Sequence, residues 1–234
     1  MAEQHRDKLI ELIAQWYVEA GKYGVLPLDG SAIQRLMAER PQIAEPRSTY
    51  VYRPGTQTVP FFAGPRVLNR PHSITADVDV PDGVVEGALL AQGSAVGGWS
   101  FYVLDGRLCY AHNYLRSAIY RVTSSEPVPA GRHELRFEFE PTGEPDVAHG
   151  KGTPGRAQLY IDRRLVAQAD VPVTIPVMIV PGGLSCGADP GSPVVPDYRA
   201  PFRFTGTLHT VTVDLSGELI TDSESEMRVA MARQ

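Results

Sequence analysis

Glu138-Phe139-Glu140 sets two carboxylates two residues apart, and on a strand that spacing puts both on one face, the arrangement a retaining glycosidase needs for its acid and its nucleophile. Glu134 and Arg136 share that face, and where a third acid is expected the chain has Pro141-Thr142, so a solvated strand face accounts for the same residues. The histidines, at 5, 72, 112, 133, 149 and 209, show neither HxH nor HExxH spacing, which gives metal-dependent hydrolysis no support. Ser94, Ser100 and Ser192 lie near glycines, but none stands in a GxSxG nucleophile elbow. Cys109 and Cys186 form no CxxC pair, so they read as two reduced thiols rather than a zinc site or a disulfide framework. The loop from Gly187 to Tyr198 carries Asp189 and Asp197 among free carbonyls; it reads as a calcium cage or as a plain Asx-turn loop. Trp99, Tyr102, Tyr110 and Tyr114, with His112 beside them, are the ring-bearing candidates for stacking on a ligand.

Most of these residues depend on one stretch, Gly97 to Asn113, where two strand-like runs flank Asp105-Gly106. An Asp-Gly pair between such runs signals a two-residue type I′ hairpin. That turn predicts Trp99 opposite His112, Phe101 opposite Tyr110 and Val103 opposite Leu108, all on one face that belongs in a core. The other face carries Ser100, Tyr102, Leu104, Arg107, Cys109 and Ala111, which suits a second covering layer or a shallow binding surface.

The rest of the chain supplies partners for this hairpin. Leu9, Leu12, Ile13, Trp16 and Ala20 recur at helical spacing before Gly21 and Gly24, predicting an amphipathic helix over residues 5–20 whose stripe buries against the β domain or a second copy of the chain. Ser31 to Arg40 is a further short helix, ending before Pro41. Prolines at 41, 46, 54, 60, 65 and 71 mark a connector with one short strand at Tyr50-Val51-Tyr52. From His72 the period is two: strands are predicted over 72–80, 84–92, the hairpin, 119–124, 133–140, 158–162, 165–169 and 206–215. Asp222 to Arg233 reads as a short C-terminal helix. Eight or more strands without helices between them predict a mainly β, two-sheet antiparallel jelly-roll sandwich over 72–221, preceded by a helical segment (1–40) and a connector (41–71).

At 234 residues with a net charge of -5, the chain can bury a sizeable core and has no basic field for nucleic acid or anionic membrane. No apolar run is long enough to span a bilayer, and the charged N-terminus lacks a secretory signal pattern, so a cytoplasmic location is expected.

Several ordered segments carry a resemblance: Trp16 to Ala20 and Tyr23 to Asp29, Tyr50 to Gly55, and Gly98 to Val103. Gly131-Arg132-His133 with Phe137-Glu138-Phe139, Gly191 to Val194, and Phe204 to Thr207 continue the set. Together they resemble the C-terminal region of actinobacterial-type arylsulfatases across nearly the whole chain. The resemblance implies a concanavalin A-like, laminin-G-like sandwich preceded by the last helix of the sulfatase fold. It implies as partner a sulfatase catalytic domain, in cis or missing, which holds the family's catalytic residues and calcium. Sulfatases of this kind need a Cys/Ser-x-Pro-Ser-Arg motif for formylglycine. Here Cys109 precedes Tyr110-Ala111-His112, Cys186 precedes Gly187-Ala188-Asp189, and Ser125-Glu126-Pro127 runs into Val128-Pro129. The expectation is therefore a non-catalytic accessory domain, structural or binding carbohydrate or aryl sulfate. An independent lectin-like carbohydrate-binding module and a glycosidase using Glu138 and Glu140 stand as alternatives.

Overall fold

The computed structural model describes residues 3–28, 30–31, 47–177 and 181–220. The chain forms two compact units, residues 1–46 and 47–234.

In the first unit, α1 (Arg6–Lys22) carries Asp7 in its first turn and Lys22 in its last, each of the sign that complements the helix dipole at its end. Ala20 is buried, whereas Leu9, Leu12, Ile13 and Trp16 are exposed. No helix among the described residues is long and apolar enough to cross a membrane. The helices expected at 31–40 and 222–233 lie outside the described residues, apart from Ser31.

The second unit is built of strands β1 (Thr49–Tyr52), β2 (His72–Val80), β3 (Gly87–Ser94), β4 (Gly97–Leu104), β5 (Arg107–Tyr114), β6 (Ala118–Pro127) and β7 (Gly131–Pro141). They are followed by β8 (Gly155–Ile161), β9 (Arg164–Val171), β10 (Leu184–Cys186), β11 (Ala188–Asp189), β12 (Phe202–Arg203) and β13 (Thr207–Asp214). One sheet runs β1-β13-β2-β7-β8-β9; the other runs β11-β12-β3-β4-β5-β6, with β10 also on β3. Pairing is antiparallel except for the single β12–β3 bridge. This is the two-sheet jelly-roll sandwich that the two-residue period predicts, and the chain joins it at Thr49 because β1 pairs with β13.

Asp105 and Gly106 both take positive φ, 50° and 74°, as a type I′ turn requires. The β4–β5 register follows: Trp99 opposes His112, Phe101 opposes Tyr110 and Val103 opposes Leu108. These six side chains are buried. Trp99, Phe101, Val103, Leu108 and Tyr110 meet Ile74, Leu135, Phe137, Phe139, Val211 and Val213 from the facing sheet in one core between the layers. Tyr110 stacks on Phe137 with centroids 3.7 Å apart, so aromatic contact joins the two sheets at the centre.

The second face of the hairpin is covered. Tyr102, Cys109 and Ala111, with Ala88 and Ala91, pack against Val194, Val195, Tyr198 and Phe202 in a separate apolar cluster. The part of the Pro- and Gly-rich excursion that follows β11, residues 190–201, supplies that cover together with Phe202 of β12. Its irregular backbone is tolerated because small side chains at 88, 91 and 111 leave room for a third layer over the sheet.

Candidate functional site

Where the cover meets β3, β10 and β11 it leaves a groove of about 390 Å³, lined in part by Gly93, Ser94, Val96, Gly182, Gly183, Ser185, Asp189 and Ser192. One wall exists because two glycine backbones touch. Gly182 has φ +107°, and a Cβ there would stand 2.0 Å from the Gly93 carbonyl oxygen. The Gly93 N–H in turn donates to the Gly183 carbonyl at 3.4 Å.

Asp189 lines this groove and is only 5% exposed. Its Oδ2 accepts the Tyr198 hydroxyl at 2.8 Å and the Val194 N–H at 3.1 Å. Tyr198 has a single hydroxyl proton, which goes to the carboxylate as the stronger acceptor, so Ser100 donates to Tyr198 across 2.9 Å. Oδ1 takes no donor from the described residues. Burial raises the Asp189 pKa, while the Tyr198 and Val194 bonds pull the other way.

Three serines of the groove accept backbone N–H groups through Oγ: Ser185 from Thr58 at 3.3 Å, Ser94 from Val96 at 3.3 Å and Ser192 from Ala95 at 3.3 Å. Each hydroxyl proton therefore remains available to an acceptor in the groove. The groove thus offers donors from the serines and an acceptor from Asp189, on a surface partly walled by Val96, Pro181 and Pro190.

Asp197, the other acid of the same loop, belongs to a different arrangement. Arg121 grips both of its oxygens, Nε to Oδ2 at 2.7 Å and Nη2 to Oδ1 at 2.6 Å, and the Tyr102 hydroxyl donates to Oδ2 at 2.8 Å. The Arg121 bonds hold the Asp197 carboxyl below its ordinary range. The two acids read as a calcium cage are thus engaged by protein donors in separate arrangements, Asp197 through both oxygens and Asp189 through Oδ2. Among the described residues, no group of three His, Cys, Asp or Glu could hold a metal ion.

The aromatic candidates are placed elsewhere. Tyr102 lies under the cover, T-shaped against Tyr198 at 5.3 Å, and the Tyr114 hydroxyl donates to the Gly150 carbonyl at 2.8 Å. Trp99, Tyr110 and His112 come together inside the sandwich with His72, Asn69, Phe139 and Thr174 around a cavity of about 20 Å³. That volume suits one water molecule and excludes a sugar ring. Trp99 is 1% exposed, so the stacking role considered for these rings is corrected to packing.

This inner layer is polar for a core. His112 Nε2 accepts the Ile175 N–H at 3.1 Å, leaving the proton of a neutral ring on Nδ1; His72 Nδ1 lies 3.0 Å from the Arg70 carbonyl and donates to it. Burial lowers both histidine pKa values from 6.5 to about 4. Both rings are neutral at physiological pH.

The carboxylates that could have served glycoside hydrolysis are structural. Glu138 is fully buried, bonded to Arg136 Nε at 2.7 Å and accepting the Ile220 N–H at 3.0 and 3.1 Å; Glu140 pairs with Arg156 at 3.6 Å. Cys109 and Cys186 are free and buried, with thiol pKa values raised by burial, that of Cys186 to about 12.

Sequence spacing marks the Asp189 loop and notes Ser94 and Ser192 only as serines near glycines outside any nucleophile elbow; it has no means of bringing Gly93 and Ser94 against the much later stretch that holds Gly182, Gly183, Ser185, Asp189 and Ser192. The detectable signal is Pro181-Gly182-Gly183, which marks a close backbone approach without naming what it approaches.

No family model matches the chain, and no curated protein matches it. Solved structures with the same kind of sandwich include the Ruminococcus gnavus IT-sialidase CBM40 bound to alpha2,3 sialyllactose: 13% identity, 69% of this chain and 83% of that one, TM-score 0.45. The mouse laminin alpha1 chain, domains LG4-5, aligns at 13% identity over 73% of this chain and 40% of that one, TM-score 0.44. A SAP-like pentraxin from Limulus polyphemus aligns at 13% identity over 78% and 82%, TM-score 0.42. At these identities the likeness concerns the architecture alone.

Proposed function

We propose that this chain is a non-catalytic, ligand-binding accessory domain of the kind that follows the catalytic domain in arylsulfatase-like hydrolases. One contrast carries the reading: Glu138 and both thiols are buried, and Glu138 is held by Arg136 and the Ile220 N–H, whereas the Asp189 groove offers serine donors and a carboxylate acceptor to a guest. A carboxylate locked by Arg136 and a backbone N–H cannot shuttle a proton to substrate, and a thiol whose pKa is raised by burial is a poor nucleophile at neutral pH. A sulfatase catalytic domain, in cis, supplies the hydrolysis on this reading, and this domain holds an uncharged part of the substrate, away from its sulfate ester.

An independent lectin-like module is the second reading, favoured by the same groove, and the two differ only in whether a catalytic domain accompanies the chain. The test is hydrolysis by the purified chain. An aryl sulfate should be turned over no faster than in buffer, with Cys109→Ala and Glu138→Gln changing nothing. Turnover that Cys109→Ala abolishes overturns the non-catalytic assignment; sugar release from a glucan lost in Glu138→Gln establishes a glycosidase instead.

A further inference from the structure

We infer that the Asp189 groove takes neutral saccharides and turns away their sulfated or carboxylated counterparts. This rests on reading the chain as a binding domain and names the class of ligand. Asp189 is the sole ionisable residue among those lining the groove, so the site carries a negative charge with no Arg, Lys or His to offset it. An anionic ligand would meet like charge in a partly desolvated setting, where repulsion is poorly screened.

The polarity of the other groups narrows the ligand further. Ser94, Ser185 and Ser192 have spent an acceptor lone pair on backbone N–H groups and keep their protons to donate, while Oδ1 of Asp189 can only accept while ionised. A ligand that satisfies both must donate and accept within a few ångströms. Adjacent sugar hydroxyls do so: one donates to Asp189 while its neighbour accepts from a serine. An ammonium group only donates and would leave the serine protons unmatched. Val96, Pro181 and Pro190 give the C–H face of a pyranose an apolar surface. A volume of about 390 Å³ lies at the lower end of ordinary ligand pockets, of the size for one or two sugar units rather than a long chain.

Asp189 also arrives preorganised. Its carboxylate is fixed by Tyr198 and Val194, and Tyr198 is fixed by Ser100, so little side-chain freedom is lost when a hydroxyl docks.

The experiment is an NMR titration of the nitrogen-15-labelled chain, with maltose, cellobiose and mannobiose as neutral probes. Glucose 6-sulfate, glucuronic acid and 4-nitrocatechol sulfate are the charged ones. At least one neutral disaccharide should shift the amides of Gly93, Gly182 and Ser192, and the charged probes should leave them in place. Asp189→Asn should weaken the neutral ligand at least tenfold and narrow its advantage over glucose 6-sulfate. Should that variant fail to fold, Ser192→Trp, on the exposed rim, should block binding while the core amides keep their positions. Binding of charged sugars or 4-nitrocatechol sulfate as tight as that of neutral ones overturns the inference and leaves the binding-domain reading standing. Shifts confined to another surface reject the groove, and no binding by any probe rejects both.

Discussion

Lowering the pH toward 5 should strongly destabilise this protein, and the cause is the pair of histidines inside the sandwich. His72 and His112 are buried, and burial takes each from 6.5 to about 4. A depressed pKa stabilises the fold above the unfolded value and the benefit is lost as pH falls toward the folded value, so the window is pH 6.5 to about 4. From these two values, going from pH 8 to pH 5 costs about 2 kcal/mol per histidine, about 4 kcal/mol for the pair, against a typical total stability of roughly 5–15 kcal/mol. Charging one ring also opposes charging the other, since each faces the same small cavity. Asp189, whose pKa is raised, acts in the opposite sense and gives back some stability as it protonates. Urea unfolding at pH 8, 7, 6 and 5 measures the slope, and proton uptake on unfolding should approach two near pH 5. His112→Gln keeps a side-chain acceptor for the Ile175 N–H but cannot be charged, so its midpoint should fall less steeply, by about one proton, even where its stability at pH 8 is lower. A variant as acid-sensitive as the parent, or a parent with a flat profile between pH 8 and 5, would refute burial of neutral imidazoles as the cause.

Other perturbations test other parts of the structure. Trp99→Ala should lower stability by about 3–5 kcal/mol in urea unfolding, because a fully buried indole is replaced by a cavity; a loss below about 1 kcal/mol would put that ring on the surface. Asp189→Ala should destabilise by about 1–3 kcal/mol by leaving the Tyr198 hydroxyl and the Val194 N–H without their acceptor, whereas Asp189→Asn should cost less. Millimolar chelator should leave the melting temperature unchanged, since both Asp197 oxygens belong to Arg121; a drop that Asp189→Ala abolishes would restore the metal reading. Deleting residues 1–30 removes the exposed stripe of α1 and should change sedimentation at high concentration; identical sedimentation and melting would show that the stripe serves no self-association.

Local rules sufficed for the sandwich and for much of its register. Asp105-Gly106 can scarcely do anything but turn, and once it turns, the period of two commits Trp99, Phe101, Val103, Leu108 and Tyr110 to one face. The same alternation places Leu135, Phe137, Val211 and Val213 inside, because a slip of one residue would move every apolar side chain into water. The polar inner layer is not legible in this way: a buried histidine and an exposed one look alike in a string of letters, and only the facing sheet shows that His72 and His112 share a cavity. The cover over β3, β4 and β5 escapes periodicity for a different reason. Beyond the short β11–β12 pairing and the single β12–β3 bridge, the cover is held by individual side-chain bonds, Tyr198 to Asp189 and Arg121 and Tyr102 to Asp197, rather than by a long repeating ladder. What covers the outer face of the hairpin was therefore decided by tertiary structure. So was the groove, in which Gly93 and Ser94 meet a stretch far later in the chain that carries Gly182, Gly183, Ser185, Asp189 and Ser192, an approach possible because Gly182 can stand against the backbone of Gly93.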